Sequence, residues 1–108
     1  MSKSLLEPSL SSNPVVRVVA IVGEGEAAST RTYRGRFANT LAMLVDAGAT
    51  GITAFDNPGP RLSHYVMKLR QSGLAITTED VKHGGPFPGH HGRYRLASAV
   101  RIVEAERA

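Results

Sequence analysis

The 108-residue chain has no cysteine and no tryptophan, and only 6% of its residues are aromatic. Without cysteine the chain has neither a disulfide framework nor a cysteine-based zinc site. It also lacks a run of about 18 apolar residues that would cross a membrane as a helix. The longest apolar stretch, residues 15–22, is strand-sized and interrupted by Arg17. These absences exclude disulfide-stapled, zinc-finger and helical membrane classes.

The composition that remains is that of one small folded domain. A hydrophobic fraction of 42% supplies one compact core, so we expect a single domain over residues 14–104. Residues 1–13 contain one lysine and no apolar stretch of signal-peptide length, which predicts a flexible tail and a cytoplasmic location. Residues 105–108 are expected to fray.

The whole chain has a formal net charge of +4, and its excess positive charge is concentrated in the second half. Residues 1–60 carry five Lys and Arg side chains against five Asp and Glu, whereas residues 61–108 carry eight against four. Basic side chains on one part of a small domain favour a polyanionic partner, because they neutralise phosphates and release counterions. The alternative is a generally basic protein with no such partner.

The first part of the chain predicts a β-hairpin (14–35) followed by a helix. Residues 14–22 are rich in Val and Ile and predict a strand, and residues 30–34 predict a second strand after a turn. Gly35 then breaks the pattern. A first helix is predicted from Arg36 to Gly48, because apolar residues recur there at i, i+4, i+7 and i+8. These core-facing residues are Phe37, Leu41, Leu44 and Val45.

Two further helices complete a predicted helical region over residues 36–73. The second is expected to begin at Thr53 and to last about one turn, because Pro58 disfavours a helical conformation at Asn57. The third is predicted from Pro60, whose missing N–H costs nothing at a helix start, to Gly73. Its apolar residues recur at i, i+3, i+4 and i+7 and are expected to face the core. They are Leu62, Tyr65, Val66 and Leu69.

The opposite face of the third helix is polar and basic. In a helix-turn-helix protein this face enters the major groove, where Arg and Lys reach guanine O6 and N7 and Gln pairs with adenine. The alternative is that any amphipathic surface helix carries polar residues on its outer face. The predicted major-groove residues are Arg61, Ser63, His64, Lys68 and Gln71, with Met67 on the same face and Arg70 on its flank.

A second β-hairpin is predicted over residues 74–97, directly after the basic helix. Its strands are residues 74–81 and 93–96, joined by a glycine- and proline-rich loop over residues 82–92. A hairpin in this position is the wing of a winged helix, which lies along the DNA backbone or in the minor groove. An ordinary solvated hairpin is the alternative. The predicted wing and backbone contacts are Arg70, Lys82, His83, His91, Arg93 and Arg95, with His90 also near the tip.

Residues 99–103 predict a final strand that pairs with the N-terminal hairpin, after which residues 104–108 are expected to fray or to add a helical turn. The order of elements therefore predicts an α+β fold: a winged helix-turn-helix with about three helices, a β-hairpin wing and an N-terminal β-hairpin.

Five segments carry a family resemblance: Asn39–Gly48, Gly51–Ala54, Arg61–Arg70, Gly73–Glu79 and Gly92–Leu96. Together they resemble small winged-helix proteins of proteobacteria, their prophages and integrative elements, over roughly residues 15–103. The resemblance implies a stand-alone DNA binder without an effector domain. Similar proteins act as excisionases, also called recombination directionality factors, or as transcriptional regulators. The run Asn57-Pro58-Gly59-Pro60 departs from the unbroken second helix and turn of that family.

Three motifs resemble known cofactor, metal or catalytic sites but do not meet the requirements of those sites. Gly23-x-Gly25-x-x-Ala28 mimics a dinucleotide-binding fingerprint but lacks the long helix and βαβ unit which that site needs. The histidines near the wing tip have no clear fourth ligand for a metal. Ser63 and His64 are adjacent in a helix and point in different directions, which argues against a nucleophile and base pair. We therefore expect no catalytic residue, no metal and no cofactor.

The function predicted from the sequence is selective binding of double-stranded DNA in the bacterial cytoplasm, at the nucleoid. Because one module contacts only a short site, self-association on DNA as a dimer or a row of protomers is also expected. An integrase or the transcription machinery would then be a further partner. The competing hypothesis is a protein-interaction or adaptor module, whose apolar strand edges pair with a partner strand.

Overall fold

The structure, a computed structural model, describes residues 13–54, 61–86 and 89–108. Within these ranges the chain forms six strands and two α-helices, with 3-10 turns at Gly25–Ala27 and Gly48–Thr50. The order is β1 (Val15–Val22), β2 (Ser29–Arg34), α1 (Gly35–Ala47), β3 (Ile52–Thr53), α2 (Leu62–Gln71), β4 (Ile76–His83), β5 (Gly89–Leu96) and β6 (Val100–Arg107). None of the described helices is long and apolar enough to cross a membrane.

An N-terminal sheet has the antiparallel order β2-β1-β6. Strand β1 is central and turns alternate side chains, including Val18, Ala20 and Val22, into the core. Strand β6 pairs with β1 along its whole length and runs to Arg107. The prediction that residues 104–108 fray or form a helical turn is therefore wrong. The outward-facing Glu104 and Glu106 concealed this strand in the sequence.

A second sheet, the wing sheet, has the antiparallel order β3-β5-β4. The register pairs Ile76 with Leu96 at the base and His83 with Gly89 at the tip, so the predicted loop over residues 82–92 is mostly strand. Glycine suggested a loop, but Gly92 lies inside β5, where a Cβ would pack closely against neighbouring side chains. A Cβ there would lie 3.2 Å from Thr78 Cγ2 and 3.5 Å from the Tyr94 ring.

The core lies between the N-terminal sheet and the two helices. Its most deeply buried side chains include Leu41 and Leu44 of α1, Val66 and Leu69 of α2, and Val18 of β1. Each such side chain contributes about 1.5–3 kcal/mol by leaving water. This burial fixes the position and rotation of α2.

Two aromatic residues that were predicted to face the core lie at its edge. Phe37 is 36% exposed and Tyr65 is half-buried, and their rings meet edge to face with centroids 5.4 Å apart. Phe37 stands in the first turn of α1, where the helix has only just left β2, and this explains its exposure.

The predicted helix does not begin at Thr53, because Ile52 and Thr53 form β3 and pair with Tyr94 and Arg93 of β5. The described residues contain two α-helices instead of the predicted three. The remainder of the predicted second helix, together with Pro60, lies in residues 55–60, outside the described residues. Helix α2 begins at Leu62, two residues later than predicted.

Candidate nucleic-acid interface

Helix α2 is held against the core by the predicted apolar stripe, of which Leu62, Val66 and Leu69 are buried. Its carboxyl end is fixed to β2 through Ser72. The Ser72 hydroxyl donates to the Leu69 carbonyl at 2.6 Å and lies 2.9 Å from the Tyr33 hydroxyl. The Arg31 guanidinium donates to the Ser72 carbonyl. The helix is therefore anchored at both its face and its end.

The other face of α2 is exposed along its length. Arg61, Ser63, Met67, Lys68 and Gln71 are all exposed, and His64 is half-buried. Four of the five predicted major-groove residues, Ser63, His64, Lys68 and Gln71, thus lie on the side of α2 away from its buried stripe, and the fifth, Arg61, directly precedes the helix. Arg61 precedes α2 in the left-handed region, at φ 65° and ψ 34°. For a non-glycine residue this conformation costs about 1–2 kcal/mol.

Arg70 links α2 to the wing sheet. Its Nε and Nη2 donate to the Ile76 carbonyl at 3.0 and 2.7 Å, and Nη2 also donates to Thr78 Oγ1 at 2.6 Å. These bonds use the Nε and Nη2 donors of the guanidinium and fix the side chain against β4. The structure therefore places Arg70, a predicted DNA contact, in a role that sets the position of β4 relative to α2.

We expect Arg70→Met and Thr78→Val each to destabilise the fold, Arg70→Met by about 1.5–3 kcal/mol and Thr78→Val by about 0.5–1.5 kcal/mol, as is typical for charged and neutral hydrogen bonds. Urea unfolding measures both. The two variants also test whether Arg70 contacts DNA directly, since only Arg70→Met removes a positive charge. An equal salt dependence of DNA affinity in the two variants supports a linking role, and a lower dependence in Arg70→Met alone contradicts it.

Arg93 and Arg95 are also engaged within the chain. Arg93 Nη1 donates to the Thr50 carbonyl at 2.9 Å, and Arg95 Nε donates to the Ala49 carbonyl at 2.7 Å. Arg95 Nη1 further contacts Glu79 Oε1 at 2.7 Å. Both arginines bind the 3-10 turn after α1 to the wing sheet. Sequence alone did not predict this, because the acceptors lie more than 40 residues away.

The remaining wing residues lie on paired strands. Lys82 is exposed on β4 and stands opposite His90, and the half-buried His91 stands opposite Val81. The side chains of His83 and His90 lie outside the described part of the structure. Among described residues there is no group of three or more His, Cys, Asp or Glu side chains that could hold a metal ion.

Five exposed cations outside β6 have no side-chain hydrogen bond or ion pair to any described residue. Arg61, Lys68 and Lys82 belong to the predicted set. The other two, Arg34 and Arg36, flank Gly35 at the junction of β2 and α1 and were missed from the sequence. The signal that was available is the Arg-Gly-Arg run at a strand-to-helix boundary.

His64 lies at the centre of the exposed face. Its ring meets the Tyr65 ring edge to face at 5.3 Å. Desolvation by neighbouring groups lowers the pKa of His64 below its usual 6.5, and the charges of Arg61 and Lys68 lower it further. The imidazole is therefore neutral at pH 7 and offers one donor and one acceptor, which suits a base edge.

We expect the stability of the wild type to fall relative to His64→Gln as the pH drops below about 6.5, the usual value for an unfolded histidine. The pKa of His64 is lower in the folded state than in the unfolded state, so protonation of His64 favours unfolding. At pH values above the unfolded pKa His64 is neutral in both states, and its protonation no longer lowers the stability. Urea unfolding of both proteins at pH 5.5 and 7.5 measures the difference. The variant keeps the other three histidines, so the comparison isolates His64. The same difference in unfolding free energy at both pH values would contradict a lowered pKa of His64.

A comparison with protein-family models matches residues 30–106 to a family described as the winged helix domain. The match runs from β2 to within one residue of the end of β6 and includes α1, β3, α2 and the β4–β5 wing. No curated protein and no solved structure matches the chain. In general, a winged helix domain indicates DNA binding. Because the matched segment spans more than two thirds of the 108 residues, the chain belongs to the winged helix domain family.

Proposed function

We propose that this protein binds double-stranded DNA with sequence selectivity and catalyses no reaction. The observation that carries the proposal is the outer face of α2, where Arg61, Lys68 and Gln71 are exposed and make no side-chain hydrogen bond to any described residue. Buried leucine and valine side chains hold the same helix rigidly from behind. A fixed helix with uncommitted Arg, Lys and Gln side chains is suited to reading base edges in the major groove.

The wing would act beside the helix. Arg70 fixes β4 against α2, so a duplex on α2 would meet the exposed Lys82 of the same strand. A contact by Lys82 to phosphate positions the protein but carries no sequence information. Selectivity would therefore reside in Arg61, Ser63, His64, Lys68 and Gln71, and wing contacts would add affinity.

The test is fluorescence anisotropy on two labelled duplexes, the region upstream of the protein's own gene and a scrambled control, across a salt series. Tighter binding to the upstream duplex that weakens steeply with salt supports the proposal. Equal binding to both duplexes contradicts selectivity for this site. Binding to neither duplex at low salt contradicts the proposal as a whole.

We further propose that protomers associate side by side on DNA, because one winged helix contacts a short site. The outer face of the N-terminal sheet supports this role. Val103 is 42% exposed there, and the neighbouring Val19 and Ile21 are half-buried. Strand β6 also lies at an edge of the sheet, where its outer backbone groups offer pairing to a second strand. A row of protomers would bend DNA for an integrase, as an excisionase does, or would occlude a promoter from the transcription machinery.

Light scattering coupled to size-exclusion chromatography, with and without duplex, tests the association. A concentration-dependent mass, or several protomers per duplex with cooperative binding, supports a row. A strict monomer that saturates DNA without cooperativity contradicts it. Val103→Lys places a charge on the proposed contact and is expected to abolish cooperativity while leaving single-site affinity unchanged.

The second candidate function is a protein-interaction module, which the β6 edge and the exposed Val103 also favour. Ionic strength separates the two candidates. Contacts from several Lys and Arg side chains to phosphates weaken steeply with salt, whereas an apolar strand-edge contact does not. A partner retained at high salt by a protein that binds neither duplex would favour this second function.

A further inference from the structure

The outer face of the N-terminal sheet and the exposed face of α2 lie on opposite sides of the protein. Residues that stand opposite each other in a sheet share a face, so Arg31 and Tyr33 of β2 face inward with their partners Ala20 and Val18. Both inward-facing residues contact Ser72 at the end of α2. Helix α2 therefore packs on the inner side of this sheet, and its exposed face points away from the sheet.

The centre of the outer face is apolar. Val19 and Ile21 alternate with the buried residues of β1 and are half-buried, and Val103 of β6 is 42% exposed beside them. Thr32 stands opposite Val19 and Thr30 stands opposite Ile21, so that the neighbouring strand adds uncharged side chains. A contiguous exposed patch of this kind is typical of a protein contact.

The charged residues of the outer face lie at its two ends. At one end Arg17 forms ion pairs with Glu104 and Glu106. The side chain of Glu106 nevertheless remains 61% exposed, so its carboxylate can accept a further donor. At the other end Arg101 is exposed opposite Ile21 and has no side-chain hydrogen bond or ion pair to a described residue. The face therefore has an uncommitted cation at one end and an accessible carboxylate at the other.

These two ends complement each other across a two-fold axis. Arg101 stands opposite Ile21 and Glu106 stands opposite Arg17, two residues to either side of Val19. A two-fold axis that crosses the strands at Val19 exchanges the two ends, and it places Arg101 of each copy opposite Glu106 of the other. Sheets that pack face to face lie about 10 Å apart, a gap that an Arg and a Glu side chain span together. The surface is therefore self-complementary, as a two-fold contact between identical chains requires.

We infer that a second copy of this chain packs on the outer face, back to back, and that the pair bridges two segments of DNA. The inference rests on the proposed DNA-binding function. Because α2 lies on the side of each copy away from the shared face, the two α2 helices point in opposite directions and cannot contact the same straight duplex. A row on one duplex would instead use the β6 edge, where pairing of two strands keeps both α2 helices on one side of a continuous sheet. Back-to-back packing adds a bridging activity that a single protomer lacks.

The test measures bridging between two copies of the upstream duplex, one held on beads and the other free and fluorescently labelled. The wild type should retain the labelled duplex on the beads. Retention should fall again in excess protein, because each duplex then receives its own pair of protomers, whereas aggregation gives no such decline. Light scattering without DNA should show a concentration-dependent dimer.

Arg101→Glu places two carboxylates together in each of the two symmetric contacts. It should lower retention and dimer formation at least about tenfold, because like charges replace opposite charges, and should lower the affinity for one duplex less than about fivefold. Arg101→Glu/Glu106→Arg exchanges the two charges and should restore both retention and the dimer. Its matched control is Arg101→Glu/Asp46→Arg, which has the same net charge but places the arginine at an exposed position of α1. This control should restore neither.

A wild type that binds the duplex but forms no dimer and retains no second duplex overturns the inference and leaves the proposed function intact. Retention that persists in excess protein also overturns it. So does failure of the charge exchange to restore retention in a variant that thermal unfolding shows to be folded. A wild type that dimerises but binds no duplex rejects the proposed function, and with it the bridging, while supporting the back-to-back contact.

Discussion

Replacing Gly51 with alanine is expected to destabilise the protein by about 3 kcal/mol or more. Gly51 adopts φ 72° and ψ 178°, a region open essentially to glycine alone. A Cβ at this position would lie 2.6 Å from the Tyr94 carbonyl oxygen and 2.9 Å from Arg95 Cγ. The Tyr94 carbonyl belongs to the backbone of the central strand of the wing sheet. It cannot move without breaking the pairing of β3 with β5.

Gly25→Ala is the matched control. Gly25 also has a positive φ, 59°, but a Cβ there meets nothing within 4 Å. Only the conformational cost remains, about 1 kcal/mol. Urea unfolding of both variants separates conformational strain from steric overlap. Equal destabilisation would show that β5 yields to the new methyl group and would contradict the packing argument.

The sensitivity of Gly51 follows from the bonds around it. Arg93 and Arg95 reach past Gly51 to the Thr50 and Ala49 carbonyls, so the wing sheet is held to the end of α1 at this residue. A shift of β3 would move the wing relative to both helices. We therefore expect Gly51→Ala to weaken DNA binding as well as folding.

Elements with a local signature were predictable from the sequence. Strand β1 follows from a run of Val and Ile residues, and α1 and α2 follow from apolar spacing near 3.6. Strand β3 was not predictable, because a strand of two residues is too short to show the alternation of apolar and polar side chains. Thr53 is also the first residue of a sequence pattern that is typical of a helix start. The end of β6 was missed for a related reason. Glu104 and Glu106 are poor strand residues alone, and Arg17 neutralises them only after folding.

The candidate site likewise contains residues whose positions were predictable from the sequence and one residue whose contacts were not. The exposed face of α2 follows from helical spacing, so Arg61, Lys68 and Gln71 were correctly expected to be exposed. Arg70 was predicted on the flank of the helix as a DNA-backbone contact, yet its guanidinium donates to the Ile76 carbonyl at the start of β4. Charge can be counted from a sequence. Whether a guanidinium is already bonded depends on carbonyl groups that tertiary structure brings near.

Reversing the charge at Lys68 is expected to lower DNA affinity by about 100-fold at 0.1 M salt. A good contact from Lys or Arg to a base edge contributes about 1–3 kcal/mol, and Lys68→Glu both removes such a contact and adds a charge that repels DNA. Lys68 is exposed, so the substitution should leave the unfolding midpoint within experimental error. Anisotropy on the upstream duplex measures the loss, and Arg61→Ala and Lys68→Ala should each give about a tenfold loss.

Arg101→Glu is the matched reversal, because it changes the net charge by the same amount at an exposed arginine of the N-terminal sheet that has no side-chain hydrogen bond or ion pair to a described residue. If net charge alone attracted DNA, the two reversals would weaken binding equally. If α2 lies in the major groove, Arg101→Glu should lower the affinity for a single site by less than about fivefold, since exposed charges beyond the Debye length of about 10 Å are largely screened. Equal losses would contradict the placement of DNA on α2, even in a protein that binds DNA tightly. A loss confined to Lys68→Glu would make α2 the surface on which the duplex lies.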